Sequence, residues 1–276
     1  MAHPSFSHQH VVGRRGTELL AELTNNSQFL PVRINLDGCH LSTLPDTLER
    51  CAAASVFSVY DNVLEAVPDW LWAFTSLTTL NLSANRFSSL SAGLRRLLGL
   101  EMLDLGHNAL HALPDVFAGM QALRFLYLSN NCLEALPESV QHLRALTYLN
   151  ITDNAFAVLP DWLGQLESLT ELRVYNNILH SLPDSLGNLT RLRELHAMNN
   201  GLERLPGSIV ACTLLQKLIL QGNKLAALPD GIGGLSSLTE LDLRFNQLTA
   251  LPESVADLKA LRFCSQIEFS ICGQMR

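Results

Sequence analysis

Three consecutive stretches of 23 residues decide the fold: LPESVQHLRALTYLNITDNAFAV (136–158), LPDWLGQLESLTELRVYNNILHS (159–181) and LPDSLGNLTRLRELHAMNNGLER (182–204). They align without a gap, and each carries an asparagine at its nineteenth position. Before that asparagine, an apolar-x-apolar pair such as Leu149/Ile151 alternates with a period of two, which is typical of a short strand. The leading LPxxLxxLxxL part has a spacing of three, which favours a short helical or 3-10 segment.

The same markers extend over most of the chain without an insertion. The Leu-Pro pair, or a close variant, places its second residue every 23 positions: Pro45, Pro68, Ser91, Pro114, Pro137, Pro160, Pro183, Pro206, Pro229 and Pro252. The asparagine recurs with the same period: Asn62, Asn85, Asn108, Asn131, Asn154, Asn177, Asn200, Asn223 and Asn246. Cys39 holds the equivalent position in the first repeat. We interpret the asparagines as architectural, because one amide side chain can satisfy several backbone groups at a bend.

The pattern LPxxLxxLxxLxxLxLxxNxLxx, repeated ten times, resembles the 23-residue form of the leucine-rich repeat family, which occurs in intracellular scaffold proteins and in bacterial and plant-pathogen effectors. The resemblance implies an α/β solenoid. The implied solenoid is a right-handed arc with a parallel β-sheet on the concave face and short helical, 3-10 or irregular returns on the convex face. One turn cannot bury its leucines alone, so neighbouring turns are expected to share a continuous core.

The sequence predicts four segments. Residues 1–16 are expected to form a disordered tail, and residues 17–31 a capping helix and lead-in. Residues 32–261 hold the ten repeats. In residues 262–276 the register degenerates, so this segment is either an irregular closing strand or a sign of truncation.

Composition and charge exclude several classes of function. The chain of 276 residues carries 26 acidic and 19 basic residues and a net charge of −7, which argues against a nucleic-acid or electrostatic membrane partner. Neither a transmembrane span nor a secretory signal is visible, and the six cysteines are scattered, so we expect a monomeric cytoplasmic protein. Phosphate-loop, zinc-protease and nucleophile-elbow motifs are missing. We therefore expect no enzymatic activity, no catalytic or metal site and no cofactor.

The register also predicts which side chains face outward from the strands. All four tyrosines fall at such positions, and an aromatic and arginine patch forms in the middle repeats. Exposed aromatic residues beside arginine are typical of the centres of protein interfaces. The predicted partner-binding residues are Phe125, Tyr127, Tyr148, Asn150, Arg173, Tyr175, His196 and Met198.

Three functions remain open at this stage. The first is a protein-binding module that binds its partner on the concave face, as in a scaffold or adaptor. The second is the host-targeting part of a bacterial effector that acts in a host cytoplasm, with a ubiquitin-ligase type, whose catalytic domain is absent here, as one form of this alternative. The third is the sensing of a small ligand or peptide on the same face. Because a fold does not determine a function, the identity of the partner stays open.

Overall fold

A computed structural model describes residues 14–265 as one helix followed by a regular succession of strands and 3-10 turns. Helix α1 spans Arg14–Asn25. The eleven strands have three residues each: β1 Arg33–Asn35, β2 Val56–Ser58, β3 Thr79–Asn81, β4 Met102–Asp104, β5 Phe125–Tyr127, β6 Tyr148–Asn150, β7 Glu171–Arg173, β8 Glu194–His196, β9 Lys217–Ile219, β10 Glu240–Asp242 and β11 Phe263–Ser265. The 3-10 segments are Asp46–Cys51, Asp69–Ala73, Ala92–Arg96, Phe117–Gly119, Glu138–His142, Asp161–Gln165, Asp184–Asn188, Gly207–Ala211, Ile232–Gly234 and Glu253–Asp257.

All eleven strands form one parallel sheet in sequence order. Each strand pairs with the next in a register of 23 residues, so that Leu149 lies opposite Leu172 and Leu172 opposite Leu195. Equivalent side chains of successive repeats therefore lie directly beside one another. The predicted fold class, a solenoid with a parallel sheet on one side and 3-10 returns on the other, is confirmed.

The core is a single apolar cluster enclosed between the sheet and the returns. The central residue of each strand from β1 to β10 points into it, and Leu149, Leu172 and Leu195 are fully buried. Leucines of the returns, such as Leu163 and Leu166, close the cluster from the other side. Because every repeat shares this core with both neighbours, it is the stacking of repeats that buries the leucines.

The Leu-Pro pair sets the start of the return. Pro160 is extended, with φ −71° and ψ 149°, and the 3-10 turn begins at the next residue. Proline favours this φ and lacks an N–H, so neither strand pairing nor helix can extend through it. The returns of neighbouring repeats approach closely: a Cβ atom added at Gly164 would lie 2.3 Å from the carbonyl oxygen of Ser185.

The asparagine column connects each repeat to the one before it. The Asn177 side-chain oxygen accepts the N–H of Phe156 at 3.0 Å, and its amide donates to the carbonyls of Ile151, Val174 and Tyr175 at 3.0, 3.0 and 3.3 Å. All nine asparagines of the column accept an N–H from the previous repeat in this way. The architectural interpretation of the column is therefore confirmed.

A residue in the left-handed region precedes each of these asparagines and turns the chain out of the strand. The residues concerned are Asp61, Ala84, His107, Asn130, Asp153, Asn176, Asn199, Gly222 and Phe245. Asparagine, aspartate and glycine adopt this conformation at low cost, so their frequency here has a conformational reason. The bend then directs the following asparagine inward, where it meets the backbone groups of both repeats.

The two ends differ from the sequence-based expectation in detail. Helix α1 begins at Arg14 rather than at Thr17, and Gly16 is buried against Cys39, where a Cβ would lie 2.3 Å from the sulfur. Residues 14–16 therefore belong to helix α1 and not to the expected tail, because Gly16 packs closely against the first repeat. The remainder of that expected tail, residues 1–13, lies outside the described residues.

At the other end, β11 adds a strand beyond the ten expected repeats. It pairs with β10 in the same register, although Phe263 is 68% exposed and the consensus has degenerated there. Parallel pairing joins backbone groups and does not depend on the side chains, so the ladder continues where the sequence pattern weakens. The rest of the expected degenerate segment, residues 266–276, lies outside the described part of the chain. Among the described residues, no helix has the length and apolarity needed to cross a bilayer.

The core predicts the effect of shortening one strand leucine. Leu172→Ala should lower the free energy of unfolding by about 2–5 kcal/mol, because it removes buried methyl groups and leaves a cavity. Urea unfolding followed by circular dichroism measures the loss. The matched control is Val158→Ala, since the Val158 side chain is 66% exposed. Equal losses in the two variants would contradict the assigned core.

The asparagine column predicts a second effect on stability. Asn177→Ala leaves one N–H and several carbonyls without their partner, and each buried group left unpaired costs about 1–3 kcal/mol. We therefore expect a loss of at least about 2 kcal/mol in urea unfolding. Asn188→Ala, at an exposed position of a return, is the control and should change little. A loss as small as that of the control would show that the column does not hold the repeats together.

Candidate protein interface

The first and third residues of each strand, with the second and third residues after it, form the face of the sheet opposite the core, which we call the open face. All eight predicted partner-binding residues lie on it, within β5–β8 or just after them. The register places Phe125 beside Tyr148, and Asn150 between Tyr127 and Arg173. Arg173 in turn lies beside His196. The sheet therefore brings together residues that are up to 73 positions apart in the sequence.

The centre of the group is aromatic. The rings of Tyr127 and Tyr148 lie 4.8 Å apart between centroids at an interplanar angle of 38°. The Arg173 guanidinium lies 5.9 Å from the centroid of the Tyr148 ring, within the range of a cation–π contact. These contacts fix three long side chains relative to one another before any partner binds.

Tyr148 is less accessible than the sequence suggests. It is only 7% exposed, whereas the register predicts an exposed aromatic side chain. It lies outside the leucine core and is covered on the open face by Tyr127 and Arg173. Burial raises the pKa of its hydroxyl well above the usual range, while the charge of Arg173 acts in the opposite direction. Tyr148 therefore supports the surface formed by its neighbours, and Tyr127, Arg173 and Tyr175 present the accessible area.

Asn150 also has a structural task that the sequence does not reveal. Its side-chain oxygen accepts the N–H of Thr152 at 3.1 Å. The same turn forms at the equivalent positions of other repeats, with Asn35, Asn81, Asp104 and Asp242 as acceptors. Asn150 thus caps its own strand, and its role in binding a partner stays a prediction.

The other predicted residues frame this centre. Phe125, Tyr175, His196 and Met198 are all half-buried, so each keeps accessible area on the open face. The Arg124 guanidinium lies 5.6 Å from the centroid of the Phe125 ring. The frame is therefore a mixture of aromatic, thioether and imidazole groups with a cation at its edge.

A network of charged side chains borders the aromatic centre. The sequence analysis did not single out this network. Glu171, which is 3% exposed, contacts the Arg173 Nε at 2.5 Å. Glu194 accepts from His196 at 2.9 Å and from Lys217 at 3.1 Å. Burial raises the pKa of Glu194, but these two hydrogen bonds outweigh burial and hold the pKa below its usual value. The network orders Arg173 and His196, so it fixes the edge of the candidate interface.

Glu171, Glu194 and His196 could also supply ligands to a metal ion. One oxygen or nitrogen of each lies within 4.8 Å of the others. However, Arg173 and Lys217 already balance the two carboxylates. A divalent cation would have to enter beside two positive charges, so we assign these contacts as an ion-pair network.

Asp104 is a further residue of this face that the sequence-based selection left out. Its carboxylate accepts the N–H of Gly106 at 3.0 Å, and it lies beside Tyr127 in the sheet register. Burial raises the pKa of Asp104, and hydrogen bonding to Gly106 and Ser83 and the charge of His107 offset this only in part. The sequence signal for it is an aspartate in a column that has asparagine in other repeats, at Asn35, Asn81 and Asn150.

Comparison with known proteins agrees with this architecture. A family profile described as leucine-rich repeat region matches residues 118–205, and one described as leucine rich repeat matches residues 75–133 and 213–263. This chain belongs to the leucine-rich repeat proteins. No curated protein matches its sequence significantly.

Solved structures show the same fold. A leucine-rich repeat protein of Leptospira interrogans has a TM-score of 0.84 and 31% identity over 88% of this chain and 64% of its own. The ectodomain of the Arabidopsis thaliana membrane receptor kinase GASSHO1/SCHENGEN3, solved in complex with CASPARIAN STRIP INTEGRITY FACTOR 2, has a TM-score of 0.66 and 26% identity over 86% of this chain and 35% of its own. The functional domain of InlJ from Listeria monocytogenes has a TM-score of 0.71 and 19% identity over 88% of this chain and 56% of its own. The chain thus spans less than two thirds of the length of these relatives.

The environment of Asp104 predicts an unusual dependence of stability on pH. Because the folded state raises the pKa above the ordinary value of 3.8, ionised Asp104 destabilises the fold at neutral pH. Asp104→Asn keeps the cap, since asparagine forms it at Asn81 and Asn150, and should raise the free energy of unfolding at pH 7. The gain should shrink as the pH falls through the raised pKa and vanish below the ordinary one.

Urea unfolding at a series of pH values measures this gain. The reverse substitution Asn81→Asp is the matched control and should destabilise the protein at pH 7, because it places a carboxylate at the same cap and beside Asp104. A loss of stability in Asp104→Asn at neutral pH would contradict the assigned environment.

Proposed function

We propose that this chain is a protein-binding module whose partner docks on the open face across β5–β8. The observation that carries the proposal is the ordered cluster of Tyr127, Tyr148 and Arg173, held by ring and cation–π contacts and bordered by charges. Rigid aromatic side chains beside arginine lose little conformational entropy on binding, and such groups dominate the energetics of interfaces.

The comparisons support a protein or peptide as the partner. Leucine-rich repeat proteins are typically interaction modules, and the Arabidopsis relative was solved in complex with a factor bound to its ectodomain. In this chain the residues of the candidate face differ between repeats, whereas the core columns are nearly uniform. A surface that varies along a constant scaffold is where specificity is expected.

The proposal also covers activity, oligomeric state, location and other classes of partner. We propose that the module is not an enzyme, since the polar groups of β7–β9 are engaged in mutual ion pairs. It acts as a monomer in the cytoplasm and binds neither nucleic acid nor membranes, in keeping with its net charge of −7.

The test removes accessible contact groups while leaving the core intact. The double variant Arg173→Ala/Tyr175→Ala should weaken capture of a partner by about 2 kcal/mol or more, roughly a thirtyfold loss of affinity. Affinity capture from the native cytosol, followed by titration of the captured protein, measures the effect. The matched control is Glu167→Ala/Arg191→Ala, two exposed positions on the returns.

Two outcomes of the capture would change the proposal. A partner that binds the double variant and the control equally would remove the open face as the binding site. Capture only from a host-cell lysate, and not from the native cytosol, would favour the targeting part of an effector over a scaffold or adaptor.

A further inference from the structure

The open face contains a carboxylate, Asp104, that forms no ion pair with a lysine or arginine of residues 14–265. Between β4 and β10 the lysine and arginine residues of this face are Arg173, Lys217 and Arg244, and each forms an ion pair with a carboxylate of the same or the adjacent strand. Asp104 is nevertheless half-buried at the edge of the aromatic cluster.

Asp242 shows how the same position is completed elsewhere in the chain. Asp104 and Asp242 occupy equivalent positions of their repeats, and each carboxylate accepts the N–H two residues further on. At Asp242 that residue is Arg244, whose Nε lies 2.9 Å from Oδ1 and whose Nη2 lies 2.5 Å from Oδ2. At Asp104 the residue two positions on is Gly106, which has no side chain.

The negative charge is not required for the turn at this position. Asn35, Asn81 and Asn150 form the same turn with neutral amides. An ionised group that is half-buried without a counterion is costly, so the charge of Asp104 has a reason other than the cap. Burial also raises its pKa, and the hydrogen bonds to Gly106 and Ser83 and the charge of His107 offset this only in part.

The aromatic neighbour completes a site for a guanidinium. Tyr127 lies beside Asp104 in the register, and their strands are about 4.8 Å apart, as neighbouring strands are. Burial raises the pKa of Tyr127, and the charge of Asp104 raises it further. A guanidinium can stack on the ring face of a tyrosine and at the same time donate hydrogen bonds to a carboxylate, because it is planar and its N–H groups point outward from its edge.

We propose that Asp104 and Tyr127 bind an arginine side chain of the partner, in the place that Arg244 takes at Asp242. The proposal rests on the proposed function, because it names one group that the docking partner brings to the open face. It adds charge complementarity to the aromatic surface and places the partner's arginine at the β4–β5 end of the cluster.

The experiment uses small probes on the full chain and needs no knowledge of the partner. N-acetyl-arginine methylamide is titrated against the protein, and the Gly106 amide and Tyr127 ring signals are followed by nuclear magnetic resonance. N-acetyl-citrulline methylamide is the matched probe, since it has nearly the same shape but no charge. We expect saturable millimolar binding of the arginine probe and binding at least about tenfold weaker for the citrulline probe.

Two variants with the same change of net charge separate the site from the general negative potential of the face. Asp104→Asn should reduce arginine binding to the level of citrulline, and it should fold normally because asparagine keeps the cap. Asp153→Asn, at a half-buried position in the turn after β6, should leave the binding of the probe nearly unchanged. Equal affinity of Asp104→Asn and the unmodified protein, or equal losses in both variants, would overturn the proposal.

The failure of this inference can be told from the failure of the proposed function. If partner capture depends on Arg173 and Tyr175 but the Asp104→Asn variant binds the arginine probe normally, only the arginine site is wrong. If capture is independent of Arg173 and Tyr175 while the arginine probe needs Asp104, the cationic site stands and the docking face must be reassigned.

Discussion

The structure depends on one constraint, that each turn of the chain must satisfy its backbone groups while lying against a nearly identical turn. Parallel strands of three residues leave polar groups unpaired where the chain bends out of the sheet. The asparagine column satisfies these groups, because a side chain such as Asn177 forms hydrogen bonds with the backbone of two repeats at once. With these groups satisfied, the leucines can form an uninterrupted core, and the register of 23 residues is kept along the whole sheet.

The same constraint creates the candidate interface. Because equivalent positions lie side by side, a difference between repeats becomes a difference between neighbouring places on one surface. Tyr127, Tyr148 and Arg173 come from three repeats and form one cluster. The inward columns are uniform and provide stability, and the outward columns vary and form the surface on which we propose that a partner binds.

The sequence predicted the fold almost completely and the site only in part. Period and spacing determine which side chains share a face, so all eight predicted residues lie where the register places them. Period and spacing do not determine how the long side chains on that face pack against one another. Tyr148 is covered by its neighbours and Asn150 caps its own strand. Asp104 has no arginine partner among residues 14–265, because Gly106 stands where a later repeat has Arg244. Each of these features depends on side-chain contacts within or between repeats, which a one-dimensional pattern does not contain.

Hydrogen exchange resolved to single amides tests the central claim most directly. The amides of Leu110, Leu133, Phe156, Leu179 and Leu202 each donate to an asparagine side chain of the next repeat. The account predicts that all five exchange slowly and together, at rates set by cooperative unfolding of the stack. Exchange of these amides as fast as in an unstructured chain, while the strands stay protected, would show that the column does not join the repeats.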